Sequence, residues 1–410
     1  MRLHPFHQRT WGLLACWLSA SCTGARRASS TAATVRDSAG IAIVESRVLP
    51  SRTQTTYDFD SVPLMSVQGA ESGHLGFAGA VLAAWLGGTR FVAADLATKQ
   101  LYVFTDAGRL LRILGGQGEG PGEFRGINFV GTMPGGAIGV SDPVLNRFTI
   151  IDSSGIVRRT IKLPEAGADA PLAVSGVLAD GRLLTTTFFP VNWRPHPGPQ
   201  RDTMPMVVLA PDGSVSATLG EFPGPDGIVD IGPDGSVRTS RIPFGRLTRE
   251  TIIDTFVAVG TGDRPEIVVY APGGRATRII RWTGADVPVT RQDVAAYTRE
   301  RLASAPADSG VRARILEDIK SAPIPRYSPP YDMFVSRSNG ELWVREYSGP
   351  GFGSRPTRWD VFDSTGIWDC QATVPTGVVP VWIGPDRMLG TWQDNNDLYH
   401  VGLFRMRSVK

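Results

Sequence analysis

Cysteine is nearly absent from this chain. Its 410 residues hold three, Cys16, Cys22 and Cys370, so burial rather than disulfide stapling must hold the core. Histidine is scarce as well: beyond His4 and His7 there are only His74, His196 and His400, far apart in sequence. No HExxH, GxSxG or CxxC occurs, so no zinc, serine-hydrolase or redox signature is present. A charge excess of one sign is missing too, with 42 basic and 39 acidic residues. A chain this close to neutral lacks the field that binds nucleic acid. After the first 21 residues no apolar run is long enough to cross a bilayer.

What the chain has instead is turns and repetition. Glycine and proline number 47 and 31, a composition that suits many short strands joined tightly. A period of 47 carries Asp95, Val103, Phe104 and Gly108 onto Asp142, Ile150, Ile151 and Gly155. The same offset carries Gly69, Gly73 and Phe77 onto Gly116, Gly120 and Phe124. A period near 50 built of short alternating apolar runs predicts propeller blades. The best-formed unit, residues 88–115, predicts strands at 91–94, 101–104 and 109–114. A glycine closes the last hairpin of each unit, where positive φ is needed. It recurs as Gly108, Gly155, Gly213, Gly274 and Gly366.

Five such hairpins are complete. A further unit begins at Val379 and stops after its third strand. Its missing outer strand is expected from residues 63–68, which precede a connector-like segment at the start of the repeat. The expected fold is therefore all-β: a six-bladed β-propeller of four-stranded antiparallel blades, closed by an N-terminal strand in the last blade. A rival reading makes Asp37-Ser38-Ala39-Gly40 the turn of a terminal hairpin, and residues 37–47 are expected to lie against that same blade. Two stretches fall outside the repeat. Residues 190–205 hold five prolines and predict an extended loop. Residues 290–320 predict a pair of short helices, with Thr290 and Asp293 as a capping box, Pro306 as the divider, and a Val311, Ile315, Ile319 stripe.

The N-terminus reads as a signal peptide over residues 1–21, with Arg2 and Arg9 ahead of an apolar WGLLACWL. Small residues Ser19, Ala20 and Ser21 precede Cys22. This resembles a bacterial lipoprotein signal, which implies lipidation at Cys22, although Ser19 stands where Leu is usual. Leu13-Leu14-Ala15-Cys16 is a second candidate, and plain secretion a third reading. Removing residues 1–21 takes two arginines and no acid, so the formal charge falls from +3 to +1. With Cys22 lipidated only Cys370 would remain. Residues 22–34 read as a flexible tether, and 35–410 as the propeller.

The segments GQGEGPGEF (116–124), SNGELWVREY (338–347), DSAGIAIVE (37–45) and DRMLGTWQDNNDLYHVGLFRM (386–406) resemble bacterial six-bladed β-propeller lipoproteins related to NHL-repeat propellers. The resemblance spans residues 35–406 and implies fold and export, not an activity. Lactonase-type propellers of this shape hold Ca²⁺ or Zn²⁺ with Asp, Asn and Glu near the central channel. The candidates for such a role in this chain are Asp142, Asn146 and Glu346, with calcium the better match to oxygen ligands.

Most other motifs have a structural reading. GQGEGPGEF has no following helix or lysine to cradle phosphate, and its recurrence at 69–77 marks it as an inter-blade connector. Asp37, Asp152 and Asp363 each begin a repeated turn and predict hydrogen bonds to turn amides. Trp343 is expected in the core. Trp193, Arg194 and His196 form an aromatic and basic cluster able to stack on a peptide or glycan. The expected function is a ligand- or protein-binding scaffold in the cell envelope, tethered to the membrane by lipid, with no cofactor. The partner would be an envelope protein, peptide or glycan. The competing expectation is a metal-dependent lactonase or esterase at the channel mouth.

Overall fold

The computed structural model describes residues 33–47, 56–68, 77–167, 170–187, 189–191, 193–350 and 355–409. All lie in one contact unit, 32–410. The signal, Cys22, most of the tether and His74 lie outside the described residues.

The repeat folds as antiparallel four-strand meanders. Meander A runs through Val81–Gly87, Arg90–Asp95, Gln100–Thr105 and Leu110–Gly115. Its two middle strands, RFVAAD and QLYVFT, are largely apolar on both faces and buried, whereas the last, LLRILG, is largely exposed. That gradient from buried to solvated follows from composition along each unit. Meander B comprises Phe129–Met133, Ala137–Asp142, Arg147–Ile151 and Val157–Lys162. Meander C comprises Leu172–Val177, Leu183–Thr187, Thr203–Leu209 and Val215–Pro223. Meander D uses Arg249–Ile253, Phe256–Gly260, Glu266–Tyr270 and Ala276–Trp282, and meander E uses Tyr331–Ser336, Leu342–Glu346, Thr357–Phe362 and Trp368–Val374. Meander F has Val379–Ile383, Arg387–Gln393 and Tyr399–Val409, and its fourth strand is Met65–Gln68, paired antiparallel as Val401 with Val67 and Leu403 with Met65. Four-strand antiparallel meanders stacked face to face are the architecture of a β-propeller.

The apolar cores lie between meanders. Val92, Leu101 and Val103 of A meet Val130 and Val140 of B. Phe148 and Ile161 of B meet Leu172 and Leu183 of C. Leu184 and Val208 of C meet Val257 and Val259 of D. Ile267 and Ile280 of D meet Val344 and Phe362 of E, and Trp343 and Trp359 of E meet Ile383, Met388 and Phe404 of F. Leu389, Val401 and Leu403 of F, with Val67, meet Phe91, Tyr102 and Phe104 of A. There Trp85 stacks on Trp382, ring centres 4.4 Å apart. Trp343 is fully buried, as expected, with its indole N–H donating to Glu341.

The turn glycines take positive φ at Gly108, Gly155, Gly213, Gly274 and Gly366. At Gly274 the demand is double, because a Cβ would also stand 2.6 Å from the Thr218 carbonyl oxygen of meander C. The Asp turns form as predicted: the Asp152 carboxylate accepts from the amides of Ser154 and Ile156, and Asp363 from Thr365 and Ile367.

One expectation is corrected. The segment around residues 37–47 does not lie against the last meander. It forms a hairpin, Ala33–Ser38 with Ile41–Ser46, closed by the Asp37 carboxylate on the Gly40 amide. Its second strand runs parallel along the free edge of Ala276–Trp282 in meander D. Ile43 and Val44 are buried there, and Glu45 faces Arg281 in register and pairs with it at 3.3 Å. The exposed edge and the matched charge choose this partner, neither of which the local sequence reveals. A second strand, Thr56–Phe59, pairs with the end of the long last strand at Met406–Val409.

Candidate functional site

The repeat leaves meanders C and D joined by extra chain, and the cavities of interest lie there. Residues 227–231 and 237–241 form a hairpin about a Pro-Asp-Gly-Ser turn. Gly235 takes φ 78°, and the Asp234 carboxylate accepts the Ser236 amide. The repeat does not predict this hairpin, yet a signal exists: PDGSV occurs at 211–215, in a recognised turn, and again at 233–237. The proline-rich stretch is also corrected. It is not loop throughout, because Gly198–Gln200 pairs with 227–229 and makes a three-stranded sheet. Prolines at 195 and 197 stop pairing before it, and Pro199 sits mid-strand on an outer strand, where its missing N–H is tolerated.

Charge pins the base of this sheet. Arg246 clasps the Asp226 carboxylate through two guanidinium bonds of 2.9 and 3.0 Å and reaches Asp263 at 2.6 Å. Arg201 bonds Asp263 and the Gly224 carbonyl. Burial works against ionising Asp226, but the arginine bonds prevail and hold its carboxyl below the usual range. At the same point Phe244 adopts φ 60° in a turn closed by the Gly245 amide on the Ile242 carbonyl. A bulky residue there costs of order 1–2 kcal/mol. Its buried ring packs 5.7 Å from Tyr297 and 6.5 Å from Tyr347.

Two helices follow meander D, α1 (Arg291–Ala303) and α2 (Ser309–Ser321). Thr290 and Asp293 form the predicted capping box, and Asp308 caps the second. The Val311, Ile315, Ile319 stripe is not buried: Val311 is exposed, and neither helix has a buried residue. Instead, Ile315 and Ile319 line a cavity of about 330 Å³ with Tyr297, Arg301, Thr239 and Arg241. Arg238 grips Asp318 of α2 with two bonds of 3.1 and 3.0 Å. Strand 237–241 also borders a second cavity of about 350 Å³, whose walls include Phe189, Trp193, Asp202, Met204 and Ile228.

Of the predicted ligand residues, Trp193 faces this second cavity and its indole donates to Asp202 at 3.2 Å. Arg194 and His196 are exposed on the adjoining chain, which Gln200 ties down by bonding the Arg194 carbonyl and the His196 amide.

The predicted metal residues are split between two meanders. Asp142 is fully buried in B, where its carboxylate accepts from the amides of Arg125, Gly126, Val144 and Leu145. Asn146 sits four residues on at φ 48°. Glu346 lies in E, bonded by Gln371 and paired with Arg358 at 3.4 Å. No group of three or more His, Cys, Asp or Glu with metal-binding spacing occurs among the described residues. The repeat-equivalent Asp95 does the same work as Asp142, accepting the amides of Ala78 and Ala97. GQGEGPGEF is a connector whose carbonyls at Glu119, Gly120 and Glu123 receive the Arg147 guanidinium.

Sequence reasoning singles out Glu346 but misses the carboxyl beside it, Asp360. Glu346 and Asp360 line a cavity of about 340 Å³ with Trp282, Tyr347 and Trp368. The Gln371 amide bridges them, at 2.9 Å to Glu346 and 2.8 Å to Asp360. Burial pushes the Asp360 carboxyl up to about 7, against the opposing Gln371 bond. The first strands of the meanders carry few charges, Arg249, Glu250 and Asp332. Asp332 is engaged by Arg345 and Ser348, and burial raises the Glu250 carboxyl.

No family model matches this chain, and no curated protein matches it. Solved structures similar to it include a member of the DUF4221 family from Bacteroides vulgatus, at 9% identity over 87% of this chain and 100% of that one, with a TM-score of 0.48. A gluconolactonase from Xanthomonas campestris is similar at 15% identity over 86% of this chain and 99% of the other, TM-score 0.42. Virginiamycin B lyase from Staphylococcus aureus is similar at 10% identity over 86% and 100%, TM-score 0.39.

Proposed function

We propose that this chain is an exported, lipid-anchored binding module: a closed six-bladed propeller whose ligand seats in the cavities beside strand 237–241. The carrying observation is that two cavities of about 350 and 330 Å³ share that strand. Both are built largely by chain the repeat does not generate, and ligand sites are concave, mostly apolar and few. The blade count and closure are supported by the cyclic order of the cores, in which meander F and residues 65–68 meet meander A. Six units closed into a ring also give the insertions a rigid base, and sites on loops work best when a scaffold holds them.

The signal-peptide reading and Cys22 supply the anchor, with several acyl chains needed for stable attachment. Labelled palmitate should enter the wild type and not Cys22→Ala; equal labelling of the two sinks the anchor.

The binding reading predicts that a panel of acidic, basic and aromatic peptides and of neutral oligosaccharides contains a member that raises the unfolding midpoint. The same member should not stabilise Trp193→Ala, since binding to the folded state alone is what raises the midpoint. A panel with no stabilising member contradicts the reading.

One observation favours chemistry as a second reading. Asp360, with its carboxyl titrating near pH 7 and a cavity beside it, has the titration a general acid needs. Its partner Glu346 is already held by Gln371 and Arg358, which supports the structural role we favour.

A further inference from the structure

Strand 237–241 has one unused edge. The Gly232 amide donates to the Ser236 carbonyl and the Ile242 amide to the Asp226 carbonyl. Those two pairs fix the ladder, because bonded pairs alternate along antiparallel strands. Residues 238 and 240 therefore spend their backbone groups on 230 and 228. The N–H and C=O groups of Val237, Thr239 and Arg241 point away from the sheet. Gly198–Gln200 covers the opposite edge of the hairpin, and 237–241 is the terminal strand of its sheet. Four of its five residues are exposed.

What faces this edge is a groove rather than open solvent. Across the 330 Å³ cavity stand Tyr297 and Arg301 of α1 and Ile315 and Ile319 of α2. The Arg238–Asp318 bridge ties the strand to α2 and satisfies the one acidic side chain of the lining. Arg241 and Arg301 are both exposed and enter no ion pair among the described residues. A bare strand edge, an apolar helical wall and two unengaged guanidinium groups thus surround one space.

We infer that this groove binds an extended acidic peptide, which adds a strand to the edge of 237–241 and sets its carboxylates on Arg241 and Arg301. The inference rests on the binding-module reading and names its ligand class. Main-chain bonds to 237, 239 and 241 would give affinity, and alternate side chains would meet Ile315 and Ile319 or the arginines. A peptide main chain presents donors and acceptors at the spacing of a strand, which a saccharide's hydroxyls do not repeat. Arg rather than Lys suits planar recognition of carboxylate.

The test is fluorescence anisotropy on the full-length protein, using a labelled peptide of four Val-Glu repeats. Companion probes are four Val-Lys repeats and a Val-Glu peptide with N-methylated alternate amides. Wild type should bind the Val-Glu probe saturably, and bind the Val-Lys and N-methylated probes at least tenfold more weakly. Thr239→Pro removes an outward N–H and no ladder bond, so it should weaken binding at least tenfold. Arg301→Glu should weaken it at least fivefold and flatten its salt dependence. The N-methylated probe on wild type keeps the test valid if Thr239→Pro fails to fold. Equal binding of the N-methylated probe, or of the Val-Lys probe, overturns the inference. If the Val-Glu probe does not bind while a panel ligand still stabilises wild type and not Trp193→Ala, the edge-strand inference falls and the binding module stands. If neither binds, both fall.

Discussion

Asp142 shows how a residue can look like a ligand and be a fastener. Its two carboxylate oxygens take four backbone amides, two from its own turn and two from the incoming connector. The repeat makes this legible, because Asp95 holds the same place one period earlier. Asp360 is not legible: its burial and its bridge to Glu346 through Gln371 come from strands of one meander meeting at a cavity. Its carboxyl is raised in the folded state, so the folded protein holds a proton that the unfolded chain gives up near pH 4. The stability this contributes is full below about pH 4 and is lost as pH rises through about 7. Asp360→Asn keeps the acceptor for Gln371 and removes the titration. Its unfolding free energy should equal wild type near pH 4 and exceed it at pH 8 by a few kcal/mol, because each tenfold difference in proton affinity between the two states is worth ~1.4 kcal/mol. Chemical denaturation at the two pH values checks this; parallel pH profiles for the two proteins contradict it. Cys370 is a simpler case, a buried thiol pushed up to about 12 by its surroundings and so unreactive.

Among the elements, those with local signals are readable. The capped helix at Thr290 and the glycine turns follow from short-range chemistry. Elements set by distant partners are not. The hairpin at 33–46 reads as a turn with an apolar strand, but only the free edge of Ala276–Trp282 and the Glu45–Arg281 match say where it docks. The α2 stripe reads only as an apolar helix face; what it meets is not local, and Ile315 and Ile319 line a groove opposite strand 237–241 while Val311 stays exposed. The strand 65–68 is placed by its position in the repeat. Deleting residues 60–68 should remove Val67 from the core shared by meanders F and A and bare the edge of 399–405. We expect the unfolding midpoint to drop by at least about 5 °C and the amides of 401–403 to lose exchange protection. An unchanged midpoint with retained protection would show that this strand closes nothing.

At the scale of the molecule, repetition accounts for the scaffold and is silent on the ligand. Glycine-rich and Asp-Ser motifs that could be mistaken for chemistry recur with the meanders and serve them. Two cavities lie where the repeat is interrupted, between 189 and 246 and over 291–321, sharing strand 237–241, with Trp193 lining one and Arg301 the other. Trp193 stands out by composition alone. The strand does not, because its short, charged run lacks the apolar triplet that marks the other hairpins. No helix among the described residues is long and apolar enough to cross a membrane. If function resides in these insertions, a ligand must depend on their side chains and not on the carboxyl pair of meander E. Calorimetric titration of the best stabilising panel ligand into three proteins decides this: wild type, the Trp193→Ala, Arg301→Glu double variant, and Asp360→Asn. We expect at least tenfold weaker binding by the double variant, with Asp360→Asn unaffected. Undiminished binding by the double variant, or loss of binding in Asp360→Asn alone, would place the function elsewhere.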